Sequence, residues 1–371
     1  MTYRLDTAPN LNTIIAMRNI FMFFALLALA CNKLPVGGEE LESRGRFDAK
    51  VADLDFNASL TESKYIPLGT SLNLIVGKGS GYESHIILKF QFTDSLTQGA
   101  DTIEIILFRN TDFDRDTIHY SMHLLTSSFN EAEATWQRRT VNDGWTTPGG
   151  DYNPDSFAMV SARSDTDIIY INYNELLAIK NSYGVILIPR DSGFAYYKAR
   201  ESGTYAQIRM VKNGVVETIP ISVDMHLVTG PTPFYTDNWI GAGMVYHNYV
   251  KFDLDTVLLG QRAVYAELTF RVGAYLAHRD SISLGIRTLL KPLTGFDTKT
   301  TSLAALQKID PGDTLVSMDI IDYVQRIIDY PDSNFGFFIA ISPDNYDISW
   351  LKVMSGTYRL KVGYIEPPGG R

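Results

Sequence analysis

The sequence predicts an all-β protein made of two tandem jelly-roll-like β-sandwich domains, each with one short helix. The 371-residue chain contains 21 Tyr and 19 Phe, and aromatic and β-branched side chains suit half-buried pleated strands. Its apolar runs are short and are bounded by Gly, Asp, Asn or Ser, as in a sandwich. One pattern of segments also occurs twice, about 150 residues apart, which indicates an internal repeat.

The repeat has three parts, which come in the same order in both copies. The first copy contributes 88–92, 181–189 and 202–205, and the second contributes 250–254, 333–341 and 355–358. Both copies contain the tetrapeptide Ser-Gly-Thr-Tyr in the last part. Two modules follow from this spacing, at 57–217 and 218–367.

Helical spacing of apolar residues is confined to two stretches, at 173–180 and 320–329. They fall at equivalent places in the two copies, so each sandwich is expected to contain one short helix. Elsewhere the runs read as strands. The runs 103–109 and 118–125 flank the polar segment 112–116 and predict a hairpin.

The N-terminal region predicts a secretory signal over 1–30, with Met17 as an alternative start. A short basic segment precedes the apolar run 20–30, which is shorter than the roughly 20 residues that span a bilayer. Cys31 follows directly and is the single cysteine of the chain, so no intrachain disulfide can form. Its setting resembles a bacterial lipobox, although Ala28 stands where Leu is usual. The alternative is a free thiol in a secreted protein.

Residues 31–56 then read as a flexible tether rich in Gly and charge. The acidic residues at 39–42 resemble the export signal of surface lipoproteins in Bacteroidota-type bacteria. These resemblances imply a bacterial outer-membrane protein that is lipid-anchored at the cell surface and meets the membrane through its lipid alone. The formal net charge of -9 argues against nucleic acid as a partner, because that binding rests on neutralising phosphates.

Residues 135–139 and 144–152 carry a Trp-rich pattern that resembles the signature of DNRLRE-type domains, which are related to a family of carbohydrate-binding modules. Segments 72–77, 89–90, 181–187 and 205–211 continue the likeness, which covers nearly all of residues 65–212. The second copy lacks the Trp-rich part. The resemblance implies a pair of jelly-roll sandwiches and a link to extracellular polysaccharide.

Five residues of this segment are the candidate ligand-binding set: Trp136, Arg138, Arg139, Trp145 and Tyr152. An exposed indole can stack on a sugar ring, and guanidinium groups suit the carboxylates of an acidic polysaccharide. The alternatives are that the two tryptophans pin a long loop onto the sandwich as core residues, the interpretation we favour, and that the arginines lie on a solvated face.

Asp112, Asp114 and Asp116 resemble the start of a calcium loop, but neither the expected glycine nor the closing glutamate follows. A solvated hairpin tip is the preferred interpretation. No Gly-x-Ser-x-Gly or His-Glu-x-x-His motif occurs, so we expect no catalytic residues, no cofactor and no enzyme activity. The expected function is polysaccharide binding by the first sandwich. The alternative is a structural or adhesive surface protein with a protein partner.

Overall fold

The computed structural model describes residues 50–93, 98–113, 116–233, 237–303 and 305–365. The signal at 1–30, Cys31 and the tether up to residue 49 lie outside this part of the chain. Every strand pair within it is antiparallel. Neither of its two α-helices is long and apolar enough to cross a membrane. The predicted all-β class is confirmed.

The strands of the first half of the chain come first. They are β1 (Lys50–Leu54), β2 (Phe56–Tyr65), β3 (Asn73–Gly79), β4 (Tyr82–Phe90), β5 (Thr102–Phe108), β6 (Ile118–Leu125), β7 (Tyr152–Ala162), β8 (Thr166–Tyr170), β9 (Val185–Pro189), β10 (Gly193–Lys198), β11 (Gln207–Lys212) and β12 (Val215–Thr229). Helix α1 (Tyr173–Asn181) precedes β9. It begins with a capping box, in which Asn172 and Glu175 each accept the other's backbone N–H.

The second half of the chain repeats the order of elements from β3 to β11. Its strands are β13 (Asn238–Gly241), β14 (Met244–Phe252), β15 (Arg262–Leu276), β16 (Ile282–Thr288), β17 (Ala305–Ile309), β18 (Leu315–Asp319), β19 (Phe337–Ile341), β20 (Trp350–Val353) and β21 (Arg359–Ile365). Helix α2 (Ile321–Asp329) precedes β19 and buries Tyr323, Val324, Ile327 and Ile328. Both helices therefore lie where the apolar spacing predicts them.

The first sandwich is built from a sheet with the strand order β7-β6-β9-β4-β12-β11-β5-β8, with β3 and β10 attached beside β4. Strand β12 crosses from one layer to the other, because its first half pairs with β11 and its second half pairs with β4. The two layers enclose a core of buried side chains that includes Leu88, Ile105, Met122 and Leu187. The second sandwich has its own core around Phe270, Phe337 and Val362.

The pairings of the two sandwiches correspond strand by strand. Strand β4 pairs with β9 in the first sandwich, and β14 pairs with β19 in the second. Strand β6 pairs with β7 and β9, and its counterpart β16 pairs with β17 and β19. Strand β5 pairs with β8 and β11, and its counterpart β15 pairs with β18 and β21. The predicted hairpin of residues 103–125 is wrong, because β5 and β6 do not pair. Strand β5 pairs with β8 and β11, whereas β6 pairs with β7 and β9.

The strand that completes each sandwich comes from an unexpected part of the chain. In the second sandwich the place of β12 is taken by β1, which pairs with β21, and β2, which pairs with β14. The first segment of each expected module, 57–217 and 218–367, belongs to the other sandwich. Residues 57–65 pair within the second sandwich, and residues 218–229 pair within the first. Residues 50–56, expected in the tether, form β1 and begin β2.

A third apolar cluster lies where the two sandwiches meet. Ile75, Tyr82 and Tyr196 from the first sandwich pack there with Met244 and Tyr246 from the second. The rings of Tyr82 and Tyr246 lie edge to face, with centroids 6.4 Å apart. The junction is therefore a hydrophobic contact between the two bodies.

Polar groups are also buried at the junction. Asp347 is 1% exposed and pairs with Arg279, with 2.7 Å between Oδ2 and Nε. The Arg279 guanidinium lies 5.1 Å from the ring centre of Tyr346, and Asn73 donates to the Tyr346 carbonyl at 2.8 Å. Burial raises the pKa of Asp347 despite the nearby Arg279 charge.

Candidate functional site: the loop between β6 and β7

The Trp-rich segment forms a long loop, residues 126–151, between β6 and β7. It covers the outer face of the first sandwich, where Ile87, Ile186 and Leu227 from β4, β9 and β12 form an apolar cluster with the loop residues Ala134 and Trp145. Strand β9 is therefore buried along its whole length, with the core on one face and the loop on the other.

Trp145 anchors the loop to this face. Its side chain is 6% exposed, and its indole N–H donates to the Thr135 carbonyl at 2.8 Å. A buried indole whose N–H is satisfied cannot present a flat face to a sugar. Of the two interpretations of Trp145, the geometry fits the core residue.

Trp136 is half-buried, with its ring 4.7 Å from the imidazole of His85. Gly149 makes this packing possible, because a Cβ there would lie 2.8 Å from the Trp136 ring and its φ of +93° belongs to the left-handed region. His85 ties the same glycine to the sheet through Nδ1, 2.8 Å from the Gly149 carbonyl. Its Nε2 contacts Glu83 at 2.9 Å, and this hydrogen bond lowers the pKa of Glu83.

Asp151 fixes the end of the loop. Its carboxylate accepts from the hydroxyl of Ser127 at 2.9 Å and from the backbone N–H of Thr147 at 3.0 Å. Desolvation raises the pKa of Asp151, but the N–H groups of Thr147 and Thr146 outweigh it and hold that pKa below its usual value. The ionised Asp151 carboxylate therefore holds the end of the loop through these hydrogen bonds.

The two arginines hold the tip of the loop. Arg138 pairs with Gly144 in an isolated bridge, and its Nε donates to the Glu133 carbonyl at 3.3 Å. Arg139 donates to the Ser128 carbonyl at 3.3 Å, and 3.7 Å separates its Nη2 from an Asp143 carboxylate oxygen. Its side chain is 29% exposed. The arginines therefore make long, partly solvated contacts.

Tyr152 lies where the loop ends and β7 begins. It is half-buried, with its ring 4.9 Å from the imidazole of His123. The structure therefore brings the five candidate residues onto one loop and its edge. The exposed positions between them are Gln137, residues 141–144, and residues 146–148.

The second sandwich covers the equivalent face with a different loop, described over residues 289–303, between β16 and β17. Leu289 and Leu293 pack there against Tyr249 and Phe338. This loop contains no tryptophan. The two loops therefore occupy the same position in the fold, while the tryptophan and arginine residues belong to the first loop alone.

The calcium candidate at 112–116 is placed only in part, because Asp114 lies outside the described residues. Asp112 is exposed, and the carboxylate of Asp116 accepts the backbone N–H of Phe194 at 3.0 Å. Phe113 points inward and stacks on Tyr196 with 4.1 Å between ring centres. Phe113 of this segment therefore packs into the junction, while Asp112 faces solvent.

Carboxylates converge instead at the start of the long loop. Glu131 of the loop, Glu201 after β10 and Asp224 of β12 each place an oxygen within 4.8 Å of the others. The sequence alone does not reveal this group, because its members are spread over more than ninety residues and no local spacing links them.

A scan against protein-family models finds no matching family, and a search of curated proteins finds no match.

Proposed function

We propose that this protein is a non-catalytic lipoprotein of the bacterial outer membrane that binds polysaccharide at the cell surface through its first sandwich. The supporting observation is that side chains of loop 126–151 fix it to the sandwich at two places. Trp145 anchors its middle and Asp151 its end. A preformed loop loses less conformational entropy on binding than a flexible one.

The geometry changes the roles within the candidate set. Trp145 positions the loop, while the half-buried Trp136, Arg138 and Arg139 remain for ligand contact. The contact between Arg139 and Asp143 is long and partly solvated, so it is weak. A polysaccharide carboxylate would replace it with a bidentate pair. We therefore propose an acidic polysaccharide as the ligand class.

The experiment is a screen of the purified protein on a glycan array and in affinity gels containing acidic or neutral polysaccharides. We expect binding to an acidic class, at least tenfold weaker in Arg139→Ala, because losing a charge-assisted pair costs about 1.5–3 kcal/mol. Arg359→Ala is the matched control, since Arg359 of the second sandwich also donates to backbone carbonyls. The proposal fails if well-folded protein binds no glycan.

The lipid anchor is a separate part of the proposal. Eighteen residues, 32–49, separate Cys31 from the first residue of β1, so the anchor would join the chain next to the second sandwich. Metabolic labelling with a palmitate analogue is expected to mark the wild-type protein and not Cys31→Ser. Equal labelling of both would contradict an anchor at Cys31.

A structural or adhesive role with a protein partner is the second candidate, and one observation favours it. Strands β7 and β8 are the ends of the first sheet, and Met159, Ile168 and Tyr170 are exposed there. Free strand edges with apolar side chains suit the addition of a partner strand. Loss of adhesion in Met159→Lys, with glycan binding absent from wild type, would favour this candidate.

A further inference from the structure

The start of loop 126–151 meets β12 and the segment after β10 in a group of four charged residues. Arg200 Nη2 lies 3.2 Å from a carboxylate oxygen of Glu131 and 3.2 Å from one of Glu201. The backbone N–H of Arg200 donates to Oδ2 of Asp224 at 2.8 Å, and its Nη1 donates to the Ser222 carbonyl. Two carboxylates thus contact the Arg200 guanidinium, and the third accepts the backbone N–H of the same residue.

The charges of this group do not balance. With all three carboxylates ionised, the group and its one arginine carry a net charge of -2, and burial opposes this ionised state by raising the pKa of Asp224 to about 6. Asp224 is 1% exposed, and its Oδ1 has no hydrogen-bond donor within the described part of the chain. An unpaired buried carboxylate oxygen is costly, so a cation that reaches it would be strongly favoured.

We propose that Glu131, Glu201 and Asp224 form a Ca²⁺ site that fixes the start of the loop to the first sandwich. Their oxygens lie within 4.8 Å of one another, and two oxygens on opposite sides of a Ca²⁺ ion can lie about 5 Å apart. A divalent ion restores neutrality. Ca²⁺ accepts flexible geometry, so bidentate carboxylates and water can complete its shell.

Gly69 packs directly against Glu131, one of the three carboxylate residues. A Cβ at that position would lie 2.4 Å from Cγ of Glu131 and 2.7 Å from its carbonyl oxygen. The chain after β2 therefore approaches Glu131 so closely that a side chain would displace it. A site assembled from such distant segments links the loop to β10 and β12, and it does not depend on polysaccharide binding.

The test uses the metal alone on the purified full chain. After treatment with EDTA, titration with CaCl₂ is followed by calorimetry and by thermal unfolding. Extracellular modules bind Ca²⁺ with Kd values of about 0.1–1 mM, so roughly 10 mM CaCl₂ is expected to raise Tm by about 3 °C or more. Calorimetry is expected to show one site.

Asp224→Asn and Glu201→Gln are each expected to abolish the Tm rise and the heat of binding. Glu201 is exposed, so its variant tests the site even if Asp224→Asn does not fold. Asp112→Asn is the matched control and keeps the response. The proposal is overturned if wild-type protein does not respond to CaCl₂, which would mean that Arg200 alone balances the carboxylates. It is also overturned if both variants respond like wild type.

Discussion

Phe56 lies directly opposite Phe252 in the register of β2 and β14, although 196 residues separate them along the chain. Their rings meet edge to face with centroids 6.0 Å apart, and Phe56 also stacks on Tyr358. The whole first sandwich is inserted between these partners. The second sandwich is therefore completed by a segment that precedes the first.

This arrangement predicts that the N-terminal strands belong to the stability of the second sandwich. Deleting residues 50–65 removes β1 and β2, which leaves the edges of β21 and β14 unpaired and uncovers their core. We expect hydrogen exchange to become fast in 238–365 while 82–125 stays protected. Fast exchange in the first sandwich instead would contradict the observed pairing.

Trp145 is predicted to be the main anchor of loop 126–151. Trp145→Ala is expected to lower the free energy of unfolding by about 3–5 kcal/mol, because a large buried side chain leaves a cavity. Trp145→Phe keeps most of the packing but loses the N–H donated to Thr135, so its loss should be smaller. Denaturant unfolding measures both. Equal, small effects would show that Trp145 carries little of the loop's stability.

Replacing one member of the Arg279–Asp347 ion pair is predicted to destabilise the protein more than replacing both. Arg279→Ala leaves Asp347 buried without its partner, which typically costs about 3–5 kcal/mol. Arg279→Met combined with Asp347→Leu removes both charges and should recover most of that loss. Thermal unfolding of the single and the double variant measures both losses. If the double variant is as unstable as Arg279→Ala, packing and not charge determines the stability contribution of these two residues.

His247 is predicted to make the second sandwich sensitive to acid. Burial, helped by the charge of Arg287, lowers its pKa to about 3, whereas the unfolded chain has the ordinary value near 6.5. The unfolded state therefore binds more protons between these values, and stability falls as pH falls. We expect a loss of about 2 kcal/mol between pH 7 and pH 5. His247→Phe, measured by urea unfolding, should lose less.

Much of the fold could be predicted from the sequence because it is repeated and locally patterned. The helices were placed by the spacing of residues such as Val324 and Ile327. The exchange of strands was not predictable, because residues 57–65 and 218–229 occupy the same position relative to their following modules, and local pattern does not choose a partner sandwich.

The site was predictable only in part. The Trp-rich loop is a continuous segment, so its residues could be selected together. The unbroken apolar run of β9 indicates that something covers the outer face of this strand, since a strand that is apolar at every position is buried on both faces. The loop is what covers that face. The group of Glu131, Arg200 and Asp224 has no such local pattern, and only the fold assembles it.

The most direct test of loop 126–151 as the binding element is hydrogen exchange by mass spectrometry, with and without the best polysaccharide from the screen. The equivalent loop 289–303 of the second sandwich is an internal control in the same sample. We expect slower exchange in peptides from 134–151 and no change in 289–303. Protection confined to the second loop, or to the β7 and β8 edges, would contradict the account.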